Sequence, residues 1–225
     1  MSARIYSKRL GINRCYVIRD GGSIMIDAGP PRSGRAIERW LGEIGIRPEE
    51  IQLIVLTHGH SDHVGSALAV RRMTGAKIAI HERDRRDLES GVQGLPSAVT
   101  TWGRMARATL VPLRPFFSFP GARADVILGD DGLSLTEYGI AGRVLHTPGH
   151  TPGSVSVLLE SGEVFAGCLA HNNPPFRLRP GLPIFAEDLF EVKASWRLLL
   201  ARGAETVYPG HGDPFPAEII REALA

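Results

Sequence analysis

Short apolar runs separated by polar, glycine-rich and proline-rich stretches predict alternating strands and helices along this chain. The run Ile-Gln-Leu-Ile-Val-Leu at 51–56 has the length and composition of a buried strand. Apolar residues then recur at helical spacing and predict a helix with one apolar face, made of Val64, Leu68, Ala69 and Met73. The polar segment 57–63 therefore lies at the carboxyl end of a strand, which is where open α/β sheets bind ligands.

Similar patterns on both sides of this segment predict the other elements of an α/β fold. Two strand-like runs, 15–18 and 23–26, flank a turn sequence (Asp-Gly-Gly at 20–22) and predict a β-hairpin. Ser33 is the predicted cap of a helix that Gly45 ends. The later strands and the last long helix are predicted at 77–81, 154–159, 163–167, 206–208 and 187–200.

Length, charge and cysteine content limit the class of protein. A chain of 225 residues is long enough for one α/β domain over 1–225 with a sizeable core. The formal net charge of +2 is too small to indicate binding to nucleic acid or a membrane. No apolar run approaches the ~18 residues of a transmembrane helix, and the N-terminus lacks the apolar core of a signal peptide. Because Cys15 and Cys168 give no disulfide framework, a cytoplasmic location is expected.

Residues 57–65 (Thr-His-Gly-His-Ser-Asp-His-Val-Gly) concentrate three histidines and an aspartate. In an extended chain, residues two apart point the same way, so His58 and His60 can bind one metal ion. Asp62 and His63 open the predicted helix, where adjacent side chains diverge by about 100°. They can therefore face a second ion. The alternative is a polar loop with capping residues and no metal.

Two further histidines lie in glycine-rich and proline-rich loops. His150 stands in Thr-Pro-Gly-His-Thr-Pro-Gly-Ser at 147–154, and His211 stands in Tyr-Pro-Gly-His-Gly at 208–212. Either one alone would be an ordinary loop histidine. Together with the first cluster, they supply a third ligand for each of two metal ions.

These three motifs resemble those of the metallo-β-lactamase superfamily of hydrolases. The resemblance extends from 24–29 (Ile-Met-Ile-Asp-Ala-Gly), similar to the family's first motif, to His211. It implies an α/β fold built as a four-layer αββα sandwich of two mixed β-sheets flanked by helices. It also implies two zinc ions, with iron or manganese as alternatives. The implied ligands are His58, His60 and His150 for the first ion, and Asp62, His63 and His211 for the second.

Cys168 departs from the family pattern. The family usually has an aspartate that bridges both metals after the strand predicted here at 163–167, and this chain has Cys168 in that place. A thiolate also binds zinc, at about 2.3 Å. One class of zinc β-lactamases likewise has a cysteine in its second site. Cys168 is therefore a candidate ligand of one ion without bridging, and the alternatives are a weakened second site or a small buried side chain beside it.

Two other residues receive roles from the resemblance. Asp27 would lie below the metals and brace the histidine loops, although a turn residue would need no such role. His171 lies in the predicted polar loop 171–177 at the mouth of the site. Lactonases of the superfamily have a tyrosine near this place that helps to hold the substrate carbonyl. His171 is therefore a candidate for holding the substrate or donating a proton, and a hydrated surface histidine is the alternative.

Several other polar residues are not expected to bind metal. Residues 82–87 mix both signs of charge at helical spacing and predict a solvated helix face. His81 is expected behind the metal ligands or at the surface, and His146 is expected to pack inside. Residues 91–120 combine apolar side chains with glycine and proline, and they predict an insertion. This insertion is either a lid that forms an apolar substrate pocket or a segment that packs on the core or in a dimer.

The resemblance implies a metal-dependent hydrolase in which metal-bound hydroxide cleaves a small ester, thioester or lactone. Asp62 would be a ligand that also orients the nucleophile. We expect a small-molecule substrate and no nucleic-acid or membrane partner, and a homodimer is an open alternative. Fourteen residues follow His211, so the glutathione-binding C-terminal domain of the similar glyoxalase II enzymes is not expected.

Two alternatives come from other functional classes. A mononuclear iron oxygenase, like the related persulfide dioxygenases, would use the aspartate that Cys168 replaces, so the sequence argues against it. A degenerate member that binds metal without catalysis is motivated by the same replacement.

Overall fold

The computed structural model describes residues 3–92, 97–99, 101–110, 112, 118–174 and 178–225. These residues contain two six-stranded β-sheets. The first sheet has the strand order β1-β2-β3-β4-β5-β6, and the second has the order β12-β11-β10-β9-β8-β7. Among the described residues, no helix combines the length and apolar character needed to cross a membrane.

The first sheet is mixed. Its first three strands are antiparallel, and β3 to β6 are parallel. The predicted hairpin is confirmed, with a first strand that is longer than the predicted run 15–18 and a second strand that has the predicted bounds. The strands are β1 (Arg4–Leu10), β2 (Asn13–Arg19), β3 (Ser23–Ile26), β4 (Ile51–Val55), β5 (Lys77–His81) and β6 (Val126–Leu128).

The second sheet is also mixed. The pair β10 and β11 is parallel, and the other pairs are antiparallel. Its strands are β7 (Leu133–Ser134), β8 (Gly142–His146), β9 (Val155–Leu159), β10 (Glu163–Asn172), β11 (Thr206–Gly212) and β12 (Phe215–Pro216). The helices outside the sheets are α1 (Gly34–Glu43), α2 (Ser61–Val64), α3 (Ala67–Thr74), α4 (Arg85–Ser90), α5 (Thr101–Leu110), α6 (Leu189–Ala201) and α7 (Glu218–Leu224).

Alternation along the strands produces the layers. In β4, Leu53 and Val55 pack between the two sheets, while Ile54 packs on the helix side with Trp40 of α1. On the far side of the second sheet, Trp196 of α6 packs against that sheet in a separate apolar cluster. Apolar clusters therefore separate helix, sheet, sheet and helix layers. The predicted four-layer αββα sandwich is confirmed.

The helix predicted after the histidine cluster is divided in two. Helix α2 ends at Val64, and α3 begins at Ala67. A side chain at Gly65 would place its Cβ 2.5 Å from the Pro31 ring, so the chain packs too tightly there for a continuous regular face. The apolar face predicted by periodicity was wrong in part, because Ala69 is exposed. The buried face of α3 is Ala67, Val70 and Thr74.

Ser33 does not cap α1 with its side chain as predicted. Its backbone N–H instead donates to Ser66 Oγ at 2.8 Å, and Ser66 Oγ donates to Pro30 O at 2.6 Å. Ser66, a residue distant in sequence, therefore provides the hydrogen-bond partners of the backbone groups of Pro30 and Ser33 in this turn. Gly45 follows the end of α1 with φ +68°, as its predicted role as a helix stop requires.

The predicted insertion 91–120 is described only in part. Residues 97–99 lie beside 184–186, with Val99 N–H donating to Ile184 O at 3.3 Å and Ala186 N–H donating to Ser97 O at 3.0 Å. Phe119 packs in the core between the first sheet and its helices. The apolar residues Leu95, Phe116 and Phe117 lie outside the described residues, so the lid stays a prediction, as does the single domain over 1–225.

Tyr16 joins the two sheets. Its buried hydroxyl donates to Pro209 O at 2.6 Å, and its ring meets the rings of Phe165 and Tyr208 edge-on at 5.1 and 5.7 Å. Pro209 belongs to β11, the strand that carries His211. This contact therefore fixes a strand of the second sheet against the first.

Tyr16→Phe should lower the free energy of unfolding by about 1–2 kcal/mol, because it leaves the buried Pro209 carbonyl without its donor. Urea denaturation measures the change. Tyr6→Phe is the matched control, because Tyr6 is half-exposed and water can replace its hydroxyl contacts. Equal losses in the two variants would contradict this role for Tyr16.

Candidate metal centre

Loops from both sheets converge on one edge of the sandwich. The segment after β4 carries the first histidines, and the β8–β9 loop carries His150. These two segments are joined where Val155 N–H donates to Thr57 O at 2.8 Å. Strands β10 and β11 bring Cys168 and His211 to the same place. The structure therefore brings together all seven residues that the sequence predicted as metal ligands.

His58, His60 and His150 form one group of nitrogens. His60 Nδ1 lies 3.1 Å from His58 Nε2 and 3.0 Å from His150 Nε2. His150 Nδ1 donates to Phe185 O at 2.9 Å, and His58 Nδ1 lies 3.0 Å from Thr57 Oγ1. These outer contacts fix the tautomers, so the inner Nε2 atoms of His58 and His150 present lone pairs to a common point.

Asp62, His63 and His211 form a second group. His211 Nε2 lies 3.3 Å from His63 Nε2 and 3.2 Å from Asp62 Oδ2, and His63 Nε2 lies 3.6 Å from Asp62 Oδ2. On the outer side, His63 Nδ1 donates to Asp27 Oδ2 at 2.6 Å and His211 Nδ1 donates to Ile12 O at 2.9 Å. Each ring is thus held with Nε2 facing inward.

The spacing of both groups fits divalent metal ions. Tetrahedral zinc with bonds of about 2.0–2.1 Å holds its ligand atoms about 3.3 Å apart. Three nitrogen pairs, His58 with His60, His60 with His150 and His63 with His211, lie 3.0 to 3.3 Å apart. Such close nitrogens are unfavourable unless a cation or a proton lies between them. The donor set of imidazoles, a carboxylate and a thiol also matches the ligands that zinc takes in proteins.

Cys168 lies between the two groups. Its sulfur is 3.3 Å from His63 Nε2, and the side chain is almost fully buried. Its sulfur forms one potential metal-binding group with His58 and His150 and another with His63 and His211. The side chain therefore lies between the two groups.

The charges around Cys168 compensate one another. Burial raises the pKa of the Cys168 thiol, but positive His63 and His211 outweigh this and hold it well below its usual value. Burial would lower the pKa of His211, yet Cys168 and Asp62 raise it to about 10. Burial likewise opposes ionised Asp62, but His63 and His211 hold the pKa of Asp62 below its usual value. Anionic ligands here thus require nearby positive charge, and metal binding would release the histidine protons.

The first group has the opposite character. Burial and the neighbouring His150 ring lower the pKa of His60 to about 3. Burial and positive His63 also hold the pKa of His58 well below its usual value. Both rings are therefore neutral near pH 7, which is the form that binds metal.

Two buried carboxylates, Asp27 and Asp84, hold the ligand loops, and we call them the bracing carboxylates. Asp27 accepts from Thr57 N–H at 2.8 Å and from His63 Nδ1 at 2.6 Å. The predicted contact of Asp27 with the histidine loop is confirmed. Asp27 also has φ +59°, an unusual backbone conformation for a residue with a side chain. This strain indicates that its position is imposed by its surroundings.

Asp84 plays the corresponding part for the first group, and the sequence pattern missed it. It accepts from Gly59 N–H at 2.8 Å, from Thr151 Oγ1 at 2.7 Å and from Gly153 N–H at 3.0 Å. A side chain at Gly153 would place its Cβ 2.5 Å from Asp84 Oδ1. The expectation of a solvated helix face over 82–87 was therefore wrong for Asp84. The sequence signal for this role of Asp84 is the glycine in each of the two loops, Gly59 and Gly153, which leaves room for a carboxylate between them.

His171 also lies elsewhere than expected. Strand β10 continues to Asn172, so His171 is in a strand and almost fully buried, although the sequence predicted a polar loop or a hydrated surface. Its ring meets that of His211 edge-on at 5.3 Å, and it makes a hydrogen-bond contact with Cys168. Burial lowers the pKa of His171 to about 4, so the ring is neutral at pH 7. The last residues of the predicted loop, 175–177, lie outside the described residues.

A third cluster contains His81, Asp130 and His146. The two imidazole rings stack at 4.2 Å, and both rings contact Asp130 Oδ1, at 3.2 and 3.1 Å. Arg83 N–H lies 3.3 Å from His81 Nδ1, and the Arg83 guanidinium pairs with Asp130 Oδ2 at 2.9 Å. Since His81 Nδ1 accepts a hydrogen bond, its Nε2 carries the hydrogen and donates to the carboxylate. The cluster is therefore an ion-pair network in which the Arg83 guanidinium is the cation that pairs with Asp130.

Comparison with known proteins agrees with this arrangement. A family model described as the metallo-beta-lactamase superfamily matches residues 9–211. The chain is 30% identical to "Beta-lactamase-like protein 2 homolog" of Drosophila melanogaster over 88% of its own length, and it spans 58% of that relative. It is also 30% identical to "Probable metallo-hydrolase YflN" of Bacillus subtilis, over 89% of this chain and 79% of the relative.

Solved structures show the same fold. The B3 metallo-beta-lactamase BLEG-1 superposes with a TM-score of 0.72 at 23% identity, covering 96% of this chain and 95% of that one. The subclass B3 enzyme BJP-1 of Bradyrhizobium japonicum superposes with a TM-score of 0.65 at 24% identity, covering 93% and 75%.

Asp84→Ala should weaken metal binding by the His58, His60 and His150 group about 10- to 100-fold, because the loops that carry these ligands lose their common acceptor. It should also lower the free energy of unfolding by about 2–4 kcal/mol. Chelator competition measures the first effect, and urea denaturation measures the second.

Asp125→Ala is the matched control. Asp125 also accepts a backbone N–H, from Ile78 at 3.0 Å, and pairs with Arg71 at 2.7 Å, but it lies at the amino ends of the parallel strands. This variant should lose stability and keep its metal affinity. An equal loss of metal affinity in both variants would show that Asp84 acts only through general stability.

Proposed function

The chain belongs to the metallo-β-lactamase superfamily, and on this basis we propose that it is a hydrolase of small esters, thioesters or lactones that uses two zinc ions. The observation that carries the proposal is the convergence of two ligand groups on the buried Cys168 sulfur. We assign His58, His60 and His150 to the first ion, and Asp62, His63 and His211 to the second, with Cys168 as a further ligand between the two groups.

Bound divalent ions supply two kinds of chemistry, since they acidify water and polarise a carbonyl oxygen. The protein's own residues decide where this chemistry takes place. The outer contacts of His63, His150 and His211 hold these rings with Nε2 facing inward. Because both bracing carboxylates are buried, these positions are set before a substrate arrives.

Asp62 marks the side from which water and substrate enter. Its carboxylate is 29% exposed, whereas His63, His150, Cys168 and His211 are buried. Before metal binds, the positive charges of His63 and His211 keep this carboxylate ionised, and the charge of a bound cation would do so once the histidine protons are released. An ionised oxygen at the open face accepts a hydrogen bond from water and thus orients it toward the substrate carbonyl. A small molecule that reaches Asp62 is the substrate this arrangement supports.

His171 acts through the metal ligands in this proposal. The sequence suggested that it holds a substrate carbonyl or donates a proton. Its burial, and its contacts with Cys168 and His211, favour a role in positioning these two side chains. A neutral imidazole can donate one hydrogen bond to the sulfur without adding charge to the site.

The purified protein should contain about two zinc ions per chain, and a chelator should abolish its hydrolysis of esters, thioesters or lactones. Metal analysis and a substrate panel with zinc restored after chelation measure both properties. His146→Gln is a suitable control, because His146 lies in the third cluster and should leave turnover intact. Oxygen consumption with a persulfide, without hydrolysis, would contradict the proposal. A protein without turnover on the whole panel would favour a degenerate member.

His171→Gln should keep most activity, because the glutamine amide can also donate a hydrogen bond toward Cys168. His171→Phe should lower kcat about 10-fold or more and weaken binding of the second ion, because second-shell donors tune metal ligands. Steady-state kinetics and metal titration separate these effects. A change in KM alone, with both metals retained, would instead indicate that His171 contacts the substrate.

A further inference from the structure

One side chain is common to the two potential metal-binding groups of the candidate site. The ligand atoms of His58, His150 and Cys168 lie within 4.8 Å of one another, and so do those of His63, Cys168 and His211. Among the residues that the structure describes, Cys168 alone belongs to both of these groups. The sulfur therefore lies where two coordination spheres would meet.

Direct contacts show the same central position. The sulfur lies 3.3 Å from His63 Nε2 on the side of the second group. A ligand nitrogen of His58 on the side of the first group and one of His211 on the side of the second lie within 4.8 Å of the same sulfur. The sulfur is therefore near the nitrogens of both groups.

The backbone before Cys168 is shaped to place the sulfur there. The pairing of β10 with β11 shifts register on both sides of Gly167. Gly167 has φ +51°, and a side chain at this position would place its Cβ 2.7 Å from Thr57 Oγ1. The strand therefore comes up against the first histidine loop immediately before Cys168. This contact carries the thiol toward both groups.

We propose that the Cys168 thiolate bridges the two metal ions, so that the same sulfur atom is a ligand of both. The proposal rests on the proposed function, since it presupposes that both ions bind. Two zinc–sulfur bonds of about 2.3 Å that meet at about 100° place two ions about 3.5 Å apart, which is a spacing found in two-metal hydrolase sites. A single sulfur can therefore occupy the place of a bridging ligand without displacing either histidine group.

Cadmium NMR of the cadmium-loaded protein tests the bridge, because sulfur ligands move a cadmium resonance downfield of one with only nitrogen and oxygen ligands. The wild-type protein should give two resonances, both with sulfur character. In Cys168→Asp, which keeps the negative charge, both resonances should shift upfield. An upfield shift of only one would overturn the bridge, and an unchanged spectrum would overturn any ligand role for Cys168.

A second variant and a matched control keep the test independent of folding. Cys168→Ser should show the same two shifts if Cys168→Asp does not fold. Cys15→Ser removes the other buried cysteine, which packs in the core between the first sheet and its helices, and should leave both resonances in place.

Metal analysis of the wild-type protein separates this inference from the proposed function. Fewer than two bound ions would overturn the two-zinc proposal and the bridge together. Two bound ions with chelator-sensitive hydrolysis, but only one resonance that moves, would overturn the bridge and leave the proposed function standing.

Discussion

The candidate metal centre depends on two buried carboxylates that accept hydrogen bonds from the loops around it. Asp27 holds Thr57 and the outer nitrogen of His63, and Asp84 joins the Gly59 segment to the loop that carries His150. Buried carboxylates are costly unless donors surround them, and here the donors are the ligand loops themselves. The requirement to satisfy these oxygens therefore fixes the loops in one arrangement.

The fold makes this arrangement accessible to a single chain. The parallel part of the first sheet delivers the first histidines at the carboxyl end of β4, and the parallel pair β10 and β11 delivers Cys168 and His211 in the second sheet. The apolar layer between the sheets, which includes Tyr16 and Phe165, aligns the two carboxyl edges. Residues that lie far apart in sequence thus reach a common point through regular strands, without long unsupported loops.

The sequence predicted those features that local pattern encodes. The strand before His58, the hairpin and the two later histidine loops follow from apolar runs and turn residues. The metal-ligand groups were predictable because His58, His60, Asp62 and His63 lie close together in the chain. Their grouping with His150 and His211 came from the two later histidine loops, and only the assignment of each histidine to one ion rested on the family resemblance. The local pattern could not show contacts between residues that lie far apart in the sequence.

Asp84 and His171 illustrate this limit. Asp84 lies in a run of mixed charges, and only the packing of the loop at 151–153 against it makes it a buried acceptor. His171 lies among asparagines and prolines, yet β10 runs on through it and buries it beside His211. The break after Val64 is similar, because Pro31 approaches Gly65 from another part of the chain. Periodicity contains no information about such neighbours.

The sulfur at the centre of the site has a consequence for metal choice. Thiolate is a soft, polarisable donor, and it favours zinc or cuprous copper over magnesium, calcium and manganese, which prefer oxygen. A carboxylate in the same place would discriminate less between hard and soft ions. If the proposed site is loaded, one buried atom would therefore decide in part which element the protein acquires from its surroundings, and soft toxic metals would compete for it most strongly.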